Sequence, residues 1–554
     1  MTFISPPGQS QPRRPEQEST GPARTELGHA GPGPTAVCEP AAPCGSSRCP
    51  DCTGGHPVTR RDFLWMAAAG GTTALAGAAG LLSPVLAAVE ASAQPSRTVR
   101  YPPPAPWSPI QLAPEVRPND LLLRAAPGVA EIGGGVEAPG FLVNGNIPSP
   151  LIRVRTGEPF RVTMENDLPD PLILHWHGLT PPESADGHPR FAVRRGGRFD
   201  YRFTVENRAG TYWYHSHTHY KVAEHAYRGI GGLILVGDDE EDALNLPSGH
   251  REVPLILQDR RLDRRGVPVY EHPDTMEGHI GTAPFGNGVH QPRMEVETAL
   301  YRFRILNGSN ARIFRLERSD GRPMVLIGND GGLLDEARTV DVMDVGPAER
   351  VDVLLDFRDQ QVGDELYLRT QAFEIPGGVT TGRSVAKQGE PLDLLRIQVA
   401  RKVDDPAQIP TRLSDVPLPD PADAVRERRF DFTSDRDWSS RTMMSHRING
   451  EEFDMARIDE RVPFGETEIW TFTNDNGFAH PVHLHATHFH VLSRTGGRDQ
   501  VFPAEAGLKD TVLLHPNETV RVAVRFTAHR GLFLLHCHNM EHEDVGMMIN
   551  VMVE

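Results

Sequence analysis

The stretch that decides how this chain reads is His536-Cys537-His538-Asn539-Met540-Glu541-His542-Glu543-Asp544-Val545-Gly546-Met547. On a strand, residues i and i+2 face the same side, so His536 and His538 aim at one place and Cys537 at the opposite one. A thiolate with two imidazoles and a distant methionine is the donor set of a blue-copper electron-transfer site. Here those donors are Cys537, His542 and Met547, with a second histidine still to be found. Three further His-x-His units lie upstream: His175-Trp176-His177-Gly178, His215-Ser216-His217, and His480-Pro481-Val482-His483-Leu484-His485. In the last of these, His483 and His485 share a face while His480 has the opposite parity, so His480 completes the set with Cys537. The remaining histidines of the four units then converge on a second site, joined to the first through the backbone of Cys537.

Other readings of these residues are weaker. Imidazole nitrogen alone also suits zinc, iron or nickel. A zinc hydrolase needs a carboxylate ligand or a third histidine at hydrolase spacing, and His215-Ser216-His217-Thr218-His219 lacks the Asp-His that would follow. A buried structural thiol is the bland reading of Cys537, and histidines on both sides argue against it. His188, His219, His225, His488 and His490 are read as surface or supporting residues, and Met548 as core.

Around these motifs the chain is an all-β protein of sandwich type. Short runs rich in Val, Ile, Phe and Thr, bounded by Gly, Pro, Asn and Asp, predict strands at 151–156, 160–166, 201–205, 232–237, 350–357, 520–526 and 532–538. Long amphipathic helical patterns are scarce. The acidic stretch 238–251 and the proline-rich stretch 402–428 read as linkers, which predicts domains at 94–240, 241–402 and 429–554 with a linker at 403–428. Val143-Asn144-Gly145 and Ile448-Asn449-Gly450 open the first and third units alike. The 554 residues carry 57 Lys+Arg against 74 Asp+Glu, a net charge of −17, which excludes an electrostatic nucleic-acid binder.

The N-terminal region reads differently. Residues 59–93 hold Thr59-Arg60-Arg61-Asp62-Phe63, an Ala- and Gly-rich apolar run and Ala91-Ser92-Ala93, the pattern of a cleavable twin-arginine export signal rather than a membrane anchor. Export by the twin-arginine machinery, a soluble mature enzyme, and a periplasmic or secreted location are therefore expected. Residues 1–58 are Pro-, Gly- and Ser-rich and read as a disordered leader extension. They hold Cys38, Cys44, Cys49 and Cys52, so four of the five cysteines precede the cleavage point and Cys537 is the fifth.

With these motifs in view, the chain resembles the three-domain multicopper oxidases, in particular the bacterial laccase-like group that includes spore-coat laccases and copper-efflux oxidases. HWHG (175–178), YWYHSH (212–217), HPVHLH (480–485) and HCHNMEHEDVGMM (536–548) match the four copper motifs. FLVNGNIPSP (141–150), GNDGGLL (328–334) and PAERVDVLLDF (347–357) extend the likeness. The resemblance implies three cupredoxin-like Greek-key β-sandwich domains and four copper ions. Type 1 copper would take His480, Cys537, His542 and Met547. Type 2 would take His175 and His483, and the type 3 pair His177, His215, His217, His485, His536 and His538. It further implies one-electron oxidation of a small-molecule or metal-ion reductant, four-electron reduction of O2 to water, electron transfer from Cys537 through His536 and His538, and proton delivery by Asp186 and Glu543.

Three functions compete: a laccase acting on phenols and aromatic amines, a metallo-oxidase for Cu(I), Mn(II) or Fe(II), and a copper-free structural relative. The third fails on the intact ligand set. No cluster among the 14 methionines resembles the insert of the cuprous oxidases. Phe478, two residues before His480, offers an apolar wall to an aromatic ring. The expectation is a monomeric laccase-like oxidase.

Overall fold

The structure, a computed structural model, describes residues 106–270, 276–378, 386–436 and 444–554. The leader extension, the twin-arginine signal and the four N-terminal cysteines lie outside the described residues. Strands dominate and fall into six sheets. These form three pairs, each closed on its own apolar core. The first core holds Phe160, Trp176, Tyr201 and Tyr214. The second holds Phe303, Leu326, Leu355 and Leu395, and the third Phe430, Trp470, Phe472 and Phe533. Each sandwich contains parallel pairs that require crossing connections: Leu151–Arg155 with Gly231–Gly237, Glu252–Arg260 with Leu300–Asn307, and Ala424–Arg436 with Thr467–Asn474. Such pairs arise when non-adjacent strands come together in Greek-key sandwiches.

Burial patterns separate ordinary strands from those that build the site. Pro159–Asn166 alternates buried and half-exposed residues, as a strand with one solvated face should. In contrast, Leu174–His177, Gly210–Ser216 and His480–Leu484 are buried at every position. Gly531–Cys537 is buried from its second residue onward. Their outer faces are covered by a neighbouring sandwich, and it is these strands that carry the histidine motifs.

Two segments differ from the linker reading. The last five residues of 403–428 belong to strand Ala424–Arg436, whose alternating Arg and Glu disguise it as polar linker. Arg428 there is pinned between Glu468 and Glu460. At the other end, Ser108–Pro109 pairs in parallel with Pro292–Arg293 and so joins a sheet of the second sandwich. The stretch 238–251 is no free tether either. It contains a short helix, Asp239–Ala243, whose Glu241 accepts hydrogen bonds from Arg302 and Arg304, both at 2.7 Å.

A buried ion cluster braces the third sandwich. Glu518 accepts from Arg494 at 2.5 Å, from Arg498 at 2.8 Å and from the His515 backbone N–H at 2.8 Å. Burial pushes its carboxyl up, but Arg498 and Arg494 overcome this and hold it at about 2, below the ordinary 4.5. A depressed carboxyl contributes stability that is present above its unfolded value and lost as pH falls through its folded one. Acid destabilisation between pH 4.5 and about 2 is therefore expected to draw on Glu518. In Glu518→Gln, thermal unfolding should start lower at neutral pH and change less across that window. An unaltered acid limb in the variant would exclude this role.

Candidate copper centre

Strand register places the donors. Val482 pairs with Cys537 and His483 with His536, so His480, two residues before Val482, shares a face with Cys537. Cys537 Sγ lies 3.4 Å from His480 Nδ1 and 3.7 Å from His542 Nδ1, and the two Nδ1 atoms are 3.2 Å apart. The far nitrogens are held: His480 Nε2–H donates to Asn476 Oδ1 (3.2 Å) and His542 Nε2–H to the Met276 carbonyl (3.0 Å). Each bond fixes the tautomer, so both Nδ1 lone pairs face the thiol. The short helix Met540–Asp544, capped by Asn539, delivers His542. The chain then folds back so that Cys537 N–H donates to the Met547 carbonyl (3.0 Å), and Met547 is fully buried in the core that holds Cys537. Burial pushes the Cys537 thiol well up. Only a cation bound among these donors keeps the sulfur ionised there.

On the other face of the same strand, eight histidines converge. His175 faces His215 across paired strands. His175 Nδ1–H donates to the Asp186 carbonyl (2.7 Å) and His483 Nδ1–H to the Asp510 carbonyl (2.9 Å). Their bare Nε2 atoms therefore confront each other at 3.4 Å. His536 Nδ1–H donates to the Cys537 carbonyl (3.1 Å) and His485 Nδ1–H to Asp186 Oδ2 (2.7 Å), and their Nε2 atoms meet at 3.1 Å. His217 Nε2 joins that pair 3.4 Å from His536, and His215 and His538 approach Nε2 to Nε2 at 3.3 Å. His177 sits beside the latter two, its Nδ1 buried and without a hydrogen-bond partner among the described residues. Burial and the neighbouring rings push His215, His217, His485, His536 and His538 well below the ordinary 6.5, which keeps them neutral. Bare nitrogen lone pairs pointed at one another are repulsive unless cations lie between them. The donor chemistry of both sites fits metal.

The two carboxylates singled out in the sequence both reach this cage. Gly187, at φ +89°, turns so tightly that a Cβ would lie 2.2 Å from the Leu174 carbonyl. That turn returns Asp186 to the histidine strand. Asp186 holds His485 by its side chain and His175 by its backbone. Glu543 is buried, with its oxygens 3.4 Å from His536 Nδ1 and 3.5 Å from His217 Nε2, and neither oxygen has a hydrogen-bond partner among the described residues.

Sequence reading missed several supports. His446 stacks on His542 with ring centroids 4.0 Å apart, and its Nδ1 pairs with Ser434 Oγ at 2.7 Å. Asp510 and Thr511 contact both His177 and His483. Nothing in the local sequence around them marks a metal site. His188 and His225, read as surface or supporting residues, are fully buried and take the supporting role. His188 Nε2 pairs with Asn550 Oδ1 (2.9 Å), and His225 Nδ1 with the hydroxyl of Ser216 (2.8 Å), which sits between two cage histidines.

A soft thiol site one peptide unit from a cage of imidazoles defines a copper oxidoreductase, in which single electrons enter at one place and are used at another. Comparison with known proteins agrees. Family models described as multicopper oxidase match residues 125–241 and 421–554. The bilirubin oxidase of Albifimbria verrucaria is 34% identical over 420 residues, covering 73% of this chain and 71% of that protein. The laccase of Bacillus subtilis is 28% identical, covering 73% and 88%. Among solved structures, the McoA multicopper oxidase of the hyperthermophile Aquifex aeolicus is similar at a TM-score of 0.73 and 32% identity, covering 81% of this chain and 99% of that one. A laccase from Pediococcus acidilactici is similar at 0.71 and 31%, covering 82% and 96%. The chain belongs to the multicopper oxidase family, and its three sandwiches are cupredoxin-like. It is a copper-dependent oxidoreductase that uses O2.

Proposed function

We propose that this oxidase is laccase-like: it takes single electrons from phenols or related aromatic donors beside Cys537 and uses four of them to reduce O2 to two waters. The observation that carries the reading is a cavity of about 330 Å³ lined by Glu277, Phe373, Glu374, Phe478, Ala479 and Asn539. Ala479 precedes His480 and Asn539 caps the helix that delivers His542, so the cavity abuts the thiol site. Its size and its mixture of aromatic wall and polar rim suit one aromatic ring.

His480, Cys537, His542 and Met547 would hold the electron-accepting ion. His175 and His483 would hold one ion of the cage, and His177, His215 and His538, with His217, His485 and His536, the remaining pair. When bound, copper supplies one-electron redox chemistry at the first site and O2 reduction at the second. The chain supplies the rest. His536, Cys537 and His538 are consecutive, which gives the two sites a continuous covalent path. Full burial of the cage histidines excludes bulk water and the organic donor from the oxygen chemistry. Oxygen reduction consumes protons; Asp186 and Glu543 contact the cage histidines and are placed to deliver them, whereas the third carboxylate in contact, Asp510, is tied up by Arg350.

The test is oxygen consumption by the copper-loaded chain with a phenol, Cu(I), Mn(II) and Fe(II) in parallel. Turnover with the phenol supports the reading. Turnover with metal ions alone replaces it with a metallo-oxidase. The twin arginines Arg60 and Arg61 and the Ala91-Ser92-Ala93 site support export and release into the periplasm or medium. Expression of the full chain should leave the blue protein in the exported fraction, and retention in the cytoplasm would refute this.

A further inference from the structure

The second sandwich supplies none of the donors described above, yet one of its side chains reaches the cage. Arg350 opens strand Arg350–Asp356 and is fully buried. Its five N–H groups are all used. Nε–H donates to the Thr211 carbonyl (2.9 Å), on the strand that carries His215. Nη1 donates to the Ala348 carbonyl (3.0 Å) and Asp510 Oδ1 (2.9 Å). Nη2 donates to the Asp330 carbonyl (3.0 Å) and Asp510 Oδ2 (2.5 Å). One guanidinium thus ties together segments of all three sandwiches and forks the Asp510 carboxylate.

Asp510 in turn meets His177. Its Oδ1 lies 3.1 Å from His177 Nε2 and also accepts from the Thr511 hydroxyl at 2.9 Å. A carboxylate held by a guanidinium only accepts, so His177 carries its proton on Nε2. This sets His177 apart. His175, His215, His483, His485 and His536 each donate from Nδ1 to an oxygen and present Nε2 to the cage. His177 has the reverse arrangement: its Nε2 faces Asp510, and its Nδ1 is buried with no partner among the described residues. The Nδ1 atoms of His217 and His538 also lack one, but those two rings turn Nε2 to other cage histidines.

The glycine of HWHG fits the same device. Gly178 has φ +88°, and a Cβ there would lie 2.7 Å from both Arg350 Nη2 and Asp510 Oδ2. The motif's glycine therefore leaves the space that the ion pair fills.

We propose that Arg350 is a positioning residue for the copper cage: it locks Asp510, which holds the His177 proton on Nε2 and turns the Nδ1 lone pair inward. Buried ion pairs are often replaceable by apolar side chains without loss of stability, so a stabilising role alone is a weak account of this one. Lysine cannot substitute, because an ammonium is a point charge without the planar fork. The proposal rests on the family's copper cage and is independent of which donor the enzyme oxidises.

The test is Arg350→Lys in the full chain, loaded with copper alone. The thiol-site donors do not touch Arg350, so the variant should keep its blue colour. It should bind fewer copper ions per chain than the parent, and its oxygen consumption should fall about 10- to 100-fold, the usual cost of losing a supporting partner of a ligand. Full copper content with unchanged oxygen consumption would overturn the proposal. So would a lowered melting temperature with full copper content, which would make the pair merely structural. A measurement on the parent protein stands apart from whether the variant folds. In copper-free protein with 15N-labelled histidine, the resonance lost in His177→Gln should be that of an Nε2-protonated ring. An Nδ1-protonated ring would refute the assignment.

Discussion

A Cys537→Ser variant is expected to be colourless and to consume no oxygen with any reductant, while retaining most of its cage copper. Among the described residues the sulfur is the only soft donor in contact with His480 and His542, and a serine hydroxyl does not ionise in a fully buried, largely apolar pocket. The intense blue colour of such sites depends on the thiolate. Losing a supporting partner of a ligand costs about 10- to 100-fold in affinity or activity, so losing the central ligand should cost more than that. The effect should stay local. His536 and His538 point to the opposite face, and the strand is held by its pairing with Met548–Val553 and with His480–Leu484. Copper per chain should therefore drop by about one ion. Metal analysis, visible absorption and oxygen uptake check the three statements together. Residual blue absorption, or uptake within tenfold of the parent, would remove Cys537 from the electron path.

The core of this site was legible because strand periodicity is simple. Alternate residues of a strand face one way, so four His-x-His units and one interposed cysteine separate into two sites before any coordinates are known. A proline can bend a strand, and a bend at Pro481 would spoil the parity of His480. Pro481 sits inside a regular strand, opposite Leu513, and the parity stands. The strands themselves were readable from β-branched runs and their turn signals.

What was hidden came from long-range partners. Arg350 lies 160 residues from Asp510, and Asp510 333 residues from His177. Such partners leave no spacing pattern. Charged strands were also misread, since Val425-Arg426-Glu427-Arg428 looks like linker until Arg428 is seen against Glu468 inside a parallel pair. Polar composition marks a loop only where the charges face water.

Glu543→Gln is the variant expected to separate proton supply from copper binding. Burial, followed by the neighbouring Asp544 carboxyl, pushes Glu543 well above the ordinary 4.5. A carboxyl so placed is biased toward its protonated form, next to His536 and His217, in a site where the chemistry consumes protons. Glutamine keeps the shape and cannot release a proton. Oxygen consumption should therefore fall by about 10²-fold or more, the usual contribution of a positioned proton donor, with copper content and blue colour unchanged. The pH profile adds a sign. The competent form is the protonated one, so the parent's rate should decline as pH rises through the raised value, and that alkaline limb should vanish in the variant. Asp186 is a less decisive target, because it also anchors His485 and His175 and its replacement can disturb the cage. Glu543 has no such bond to lose among the described residues, so a variant with full copper and full oxygen consumption would leave it without a part in the reaction.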